Sequence, residues 1–216
     1  MGRIADFYAS GNRTLSGDKW YHYFDIYEHH FNRYVGKSPV IVEVGVQGGG
    51  SMEMWLNYFG PGVQVHGIDI DYQAVERCAH LPVKIHIGDQ ANPIFWTQFK
   101  EQVPHVDILI DDGGHTWMQQ LVTLNEMLFH LADDGIYLCE DIHTSYRPEY
   151  GRKGIPPFTE SIKRLVDELN GRHWRHETQF TRSVASMHLY ESVVVIQRGH
   201  VNTQRRVKSA PSAYRR

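Results

Sequence analysis

Five short aliphatic runs, each meeting acidic residues at its end, constrain this chain more than any other feature. They are PVIVEVGV (39–46), VQVHGIDI (63–70), VKIHIGD (83–89), VDILIDD (106–112) and GIYLCED (135–141). The segments between them carry helical spacing. Trp117, Leu121, Leu124, Leu128 and Leu131 mark one such face, and Phe158, Ile162, Leu165, Val166 and Leu169 another. Strand and helix that alternate this way fold as a parallel sheet covered by helices on both faces. Strands buried on both faces read as near-continuous apolar runs, as these do. Two closing strands are expected near 174–180 and within 188–198. They leave too little room for a helix between them, so a final hairpin with one strand antiparallel to the rest is expected. The predicted fold is therefore α/β and Rossmann-like, a mostly parallel seven-stranded sheet. Before it, Trp20, Tyr23, Phe24, Tyr27, Phe31 and Tyr34 fall on one helical face and read as packing.

In an open α/β sheet, ligands bind beyond the carboxyl ends of the strands. Here that rim collects Glu43, then Asp69 and Asp71, Asp89 and Gln90, Asp111, Asp112 and His115, and finally Glu140, Asp141 and His143. A single Asp at a strand end is commonly a helix cap. Five strands in succession aiming acids at one rim exceed what capping explains. The turn after the first strand, GVQGGGS, holds Gly45, Gly48, Gly49, Gly50 and Ser51. With Asp69 about twenty residues on, it has the outline of a dinucleotide fingerprint. The G-x-G-x-x-G register fails, however, because Gln stands at position 47. A pyrophosphate would also be repelled by so many carboxylates. S-adenosylmethionine lacks a phosphate and carries an ammonium and a sulfonium, which suit an acidic rim.

The motifs DDGGH and CEDIH end neighbouring strands, so Asp112, Glu140 and Asp141 can converge. Grouped carboxylates repel unless a cation or a proton offsets them. Oxygen ligands favour a hard ion such as Mg²⁺. The competing reading is that these acids cap helices or pair with Arg and Lys. His115 follows two glycines and is placed to act as a base near such an ion, with His143 as its rival. The 144–157 segment, rich in Pro, Gly and Tyr, reads as a loop covering substrate with His143, Tyr146, Arg147 and Tyr150.

Bulk properties exclude other classes. A net charge of -3 over 216 residues gives no global pull toward nucleic acid or an anionic membrane. No run approaches the roughly 18 apolar residues of a membrane span, and two cysteines suggest a reducing cytoplasm. Residues 1–16 are read as an N-terminal extension, 17–200 as the folded domain and 201–216 as a disordered basic tail.

On GDKWYHYFDIYEHHF (17–31), VEVGVQGGGSMEMWLNYF (42–59), GIDID (67–71), GDQ (88–90), DILIDDGGH (107–115), EDIHTSYRPEYG (140–151) and LYESVVVIQRG (189–199), the chain resembles a known family. It is similar to class I S-adenosylmethionine-dependent methyltransferases, and more closely to the metal-dependent sugar O-methyltransferases of the mycinamicin, macrocin and rhamnosyl type. The resemblance implies Mg²⁺ on Asp112, Glu140 and Asp141, with His115 as general base. It implies cofactor contacts from Glu43, Gly45, Asp69, Asp89 and Asp111, to which Gly48, Ser51 and Gln90 are added here as neighbours in the same motifs. The expected substrate is a hydroxyl of a deoxyhexose in a glycosylated natural product of antibiotic biosynthesis. The mycinamicin-type enzymes carry a further N-terminal domain, whereas about 16 residues precede the matching region here. A homo-oligomer built on the aromatic helix at 20–34 is compatible with this reading. The alternatives are a nicotinamide-dependent oxidoreductase on the same fold, a metal-dependent hydrolase and a non-catalytic binding module.

Overall fold

A computed structural model describes residues 2–11, 13–173 and 177–200. Seven strands form one sheet: β1 (Val40–Val44), β2 (Gln64–Asp69), β3 (Val83–Ile87), β4 (Ile108–Asp111), β5 (Ile136–Cys139), β6 (Val184–Tyr190) and β7 (Val193–Arg198). Their spatial order is β3-β2-β1-β4-β5-β7-β6. The first five pair in parallel, and β7 runs antiparallel to both β5 and β6. The expected single reversed strand is therefore β7. Strand order reverses between β1 and β4, which opens a crevice at their carboxyl ends.

Side chains alternate across the sheet with period two and build a core on each face. Ile41, Ile108, Ile110, Leu138 and Val195 point to one side, against α2 (Tyr23–Phe31) and α3 (Gly50–Phe59). Val42, Val44, Leu109, Tyr137 and Val194 point to the other, against α5 (Pro93–Gln102), α6 (Trp117–Met127) and α7 (Phe158–Leu169). Helix starts follow capping chemistry. Thr116 and Gln119 form a reciprocal capping box for α6. The Asn92 side chain accepts from Ile94 N, and Pro93 supplies the first residue of α5.

The aromatic stripe is a packing face from Tyr23 onward. Tyr23, Phe24, Tyr27, Phe31 and Tyr34 are buried, whereas Trp20 lies before the helix and is 60% exposed. Tyr27 stacks on Phe31, and both meet the edge of Trp55 from α3. A first helix, α1 (Arg3–Ala9), buries Ile4 and Ala5 against this layer, and its Ile4 N–H donates to Glu28 at 2.7 Å. The short α4 (Gln73–Arg77) follows β2.

One expected strand is displaced. Residues 174–176 lie outside the described set, and Gln179–Ser183 form a short helix, α8, capped by Thr178. Both closing strands come from 184–198 and turn at Glu191 and Ser192. The expected tail at 201–216 lies outside the described residues. Among those described, no helix is long and apolar enough to cross a membrane.

The β2–β3 pair carries two histidines whose rings stack, with His66 Nδ1 3.0 Å from His86 Nε2. Burial, followed by the neighbouring ring, pushes His66 down from 6.5 to about 4. Burial, followed by Lys84, lowers His86 too. A base depressed in the folded state contributes no penalty above its unfolded pKa. Stability is lost as pH falls below about 6.5, because the unfolded chain takes up the proton first. Denaturant unfolding at pH 7.5 and pH 5 should show wild-type losing about 2 kcal/mol more than His66→Leu over that interval. An equal loss in both proteins would remove His66 from the acid response.

Candidate active site

A cavity of about 1010 Å³ opens at the carboxyl ends of β1, β2, β4 and β5. Seven of its lining residues are Asp or Glu (Asp18, Asp69, Asp71, Asp89, Asp112, Glu140 and Asp141), against two that are Lys or Arg (Lys19 and Arg77). That imbalance selects for cationic ligands.

The glycine turn after β1 forms one wall. Gly45 has φ of 93° and Gln47 φ of 48°. The backbone N–H groups of Val46 and Gln47 both donate to Asp69 Oδ2 at 3.0 Å, and Asp71 N donates to Asp69 Oδ1 at 2.9 Å. Asp69 therefore ties the turn to the end of β2 while it lines the cavity. Asp89 caps its own turn through Ala91 N at 2.8 Å. Asp71 pairs with Arg77 at 2.9 Å.

A second wall comes from the ends of β4 and β5. His115 and Asp141 both adopt left-handed backbone, at φ of 56° and 51°. Non-glycine residues held there are uncommon and cluster at functional sites. His115 Nε2 lies 3.5 Å from Asp141 Oδ2 and 3.8 Å from Asp112 Oδ1. One ligating atom from each of Asp112, His115 and Asp141 falls within a sphere of contacts no wider than 4.8 Å. His115 Nδ1 is buried without a hydrogen-bond partner. Tyr23 donates to Asp141 Oδ1 at 2.6 Å and fixes that carboxylate.

Glu140 stands apart from this trio. It is 1% exposed, accepts from the Tyr27 hydroxyl, and lies 3.0 Å from Lys19 Nζ. Lys19 also reaches Glu43 Oε1 at 3.1 Å and Asp112 Oδ2. Burial alone would lower the Lys19 ammonium, but Asp112 and Glu140 overcome it and hold its pKa well above 10.5. One ammonium cannot offset three acids. Burial, and then Asp112, push Glu140 well above its usual range, and burial raises Glu43.

The candidate residues thus divide. Gly45, Gly48, Asp69, Asp89, Gln90, Asp112, His115, Glu140 and Asp141 line the cavity. Glu43 and Asp111 sit behind the wall, 0% and 1% exposed. Asp111 accepts from Gln90 Nε2 at 2.8 Å and from the Tyr137 hydroxyl at 3.2 Å, and burial raises it to about 6. Ser51 borders a small side pocket with Lys19 and Gly45. His143, Tyr146 and Tyr150 lie on two 3-10 turns (Ile142–Tyr146 and Pro148–Tyr150), with Arg147 between them, outside the cavity wall. His143 Nδ1 pairs with Ser192 Oγ, and Tyr146 is 74% exposed. Lys19 and Trp20 were not expected in the wall. They arrive on an extended segment that crosses the glycine turn, where Gly50 N donates to Ser16 O at 2.9 Å.

The chain is similar to S-adenosylmethionine-dependent methyltransferases, and among them to sugar O-methyltransferases. It is 30% identical over 200 residues to the 8-demethyl-8-alpha-L-rhamnosyl tetracenomycin-C 2'-O-methyltransferase of Streptomyces olivaceus, covering 84% of this chain and 52% of that protein. It is 27% identical over 195 residues to the demethylmacrocin O-methyltransferase of Streptomyces fradiae, covering 82% of this chain and 48% of that one. Among solved structures, the MycE methyltransferase of the mycinamycin biosynthetic pathway, in complex with Mg, SAH and mycinamycin VI, matches at TM-score 0.76 and 25% identity. That match covers 91% of this chain and 53% of MycE. The chain spans about half the length of the curated relatives it matches. No family model matches the sequence.

Proposed function

We propose that this chain catalyses methyl transfer from S-adenosylmethionine to a sugar hydroxyl of a glycosylated small molecule, with Mg²⁺ as the metal. The observation that carries this reading is the convergence of Asp112, His115 and Asp141 on one point of an acid-lined cavity. The similarity to MycE, solved with Mg and SAH, supports both the donor and the ion.

The donor set fits a hard divalent ion. Asp112 and Asp141 each bring carboxylate oxygen to the shared point, and Glu140 lines the same cavity. When bound, the ion supplies Lewis acidity that lowers the pKa of an adjacent hydroxyl. His115, whose Nε2 faces Asp112 and Asp141, is placed to accept that hydroxyl's proton. The donor's ribose and adenine suit Asp69 and Asp89, while its sulfonium suits the acidic wall. Gly45 and Gly48 let backbone approach the donor closely. His143, Tyr146, Arg147 and Tyr150 lie on the turns after β5, where they can meet the sugar or its aglycone. A nicotinamide dinucleotide fits poorly, since its pyrophosphate would face seven carboxyl groups and two cations.

The test is transfer of a labelled methyl group to a panel of rhamnosides and macrolide glycosides, with protein stripped by chelator and then resupplied with Mg²⁺. Transfer that vanishes with EDTA and returns with Mg²⁺ is the expected result. Undiminished transfer in excess chelator would remove the metal, and calorimetric binding of NADH instead of the methyl donor would remove the reaction class.

A further inference from the structure

The proposed transfer makes no use of Lys19, yet its side chain is tied to the ends of three strands of the site. Its side chain is 3% exposed. An ammonium has three donors, and here they meet three acids from three strand ends: Glu43 at 3.1 Å, Glu140 at 3.0 Å, and Asp112. None is left for a ligand. Glu43 is fixed from behind by Trp55 Nε1 at 2.8 Å, and Glu140 by Tyr27. Asp112 is the shared member. Its Oδ2 is held by Lys19, while its Oδ1 faces His115 at 3.8 Å.

We infer that Lys19 is a positioning residue that acts as a resident counter-charge for the inner acids, holding down the affinity of the site for a divalent ion. This rests on the reading of Asp112 and Asp141 as metal ligands. A fixed positive charge bonded to a ligand carboxylate opposes a second cation on the same carboxylate. It also screens Glu43 and Glu140, whose charge would otherwise strengthen that binding.

The segment carrying Lys19 has its own anchors. Gly50 N donates to Ser16 O at 2.9 Å, and Thr14 N and Leu15 N each donate to Glu53 at 3.0 Å. Lys19→Met can therefore lose the charge while the segment stays docked. Mn²⁺ is the probe, its free concentration read by electron paramagnetic resonance and each variant's fold checked by thermal melting. Lys19→Met should bind Mn²⁺ at least tenfold more tightly than wild-type. Glu43→Gln, which leaves Lys19 less compensated, should bind it more weakly. The double variant removes one charge of each sign and should bind more tightly than Glu43→Gln alone, which keeps the test in hand if the single Lys19 variant does not fold. A purely structural ion pair would lower the melting temperature and leave Mn²⁺ affinity unchanged. Unchanged or weaker binding in the Lys19 variants overturns the inference while wild-type binding preserves the metal reading. Failure of both Lys19 variants to fold overturns it as well, by making Lys19 a folding residue. Wild-type protein that binds no Mn²⁺ overturns the metal reading, and the inference with it.

Discussion

Replacing His115 by alanine is expected to slow methyl transfer by about 10²–10⁴, the usual contribution of a positioned general base, while leaving donor affinity within a few-fold of wild-type. Three observations place the effect on chemistry. His115 ends the β4 motif in a left-handed backbone conformation, and Thr144 Oγ1 donates to its carbonyl at 3.0 Å, so the main chain is held independently of the ring. The ring points Nε2 at Asp141 and Asp112, the acids proposed to hold the ion. The glycine turn and Asp69, proposed to hold the donor, are bonded to each other and not to His115. Single-turnover rates at saturating donor and Mg²⁺ separate the chemical step from binding. His143→Ala is the comparison: His143 is tied to Ser192 outside the cavity wall, so with the acceptor also saturating its loss should slow the chemical step far less. A His115→Ala rate within tenfold of wild-type would move the base elsewhere.

The second large effect is structural and reaches the donor. A Cβ placed on Gly45 would lie 2.0 Å from Asp112 O and 2.7 Å from Asp112 C, both backbone atoms, and φ at this residue is 93°. No rotamer relieves such a contact. Gly45→Ala must push the end of β1 from the end of β4, at the place where the sheet order reverses. It should cost about 3 kcal/mol or more, combining an unfavourable left-handed backbone of roughly 1–2 kcal/mol with the clash. Donor binding should fall with it, since Gly45 and Asp112 line the same cavity. Gly36→Ala isolates the first contribution. Gly36 has φ of 72° but nothing within 4 Å of its added Cβ, so only the backbone cost of about 1 kcal/mol is expected. Equal denaturation midpoints for the two variants would show that β1 and β4 can part without penalty.

What the sequence revealed follows from which interactions are local. The central parallel strands announce themselves because burial on both faces demands aliphatic runs, and VIVEV, ILID and IYLC oblige. β6 does not. It is an edge strand, only Val184 of its residues is fully buried, and the hairpin turns at Ser192, with φ of 63°, in place of a glycine. VASMHLY consequently shows neither an apolar run nor a turn signal, and the strand was expected too early. Within the site, the rim acids were visible because topology alone carries them to one edge. Their division was not. Glu140 and Asp141 are adjacent in sequence, yet the left-handed backbone at Asp141 turns one carboxylate inward to Tyr27 and the other outward to His115. Asp111 and Gln90 were read as donor contacts, but each is engaged in the buried bond that joins them. Lys19 was invisible for a related reason. A lysine in GDKW looks solvated until three distant strands are brought around it.

The crossing segment also dictates an order of assembly. Lys19 is separated from its partners by 24, 93 and 121 residues. It is made before every one of its partners, yet its last contact cannot form until β5 has emerged and joined the sheet. Contacts of such long range come late and slow a folding chain. The latch is therefore made before the carboxylates it quiets, and it closes only when the last of their strands is in place.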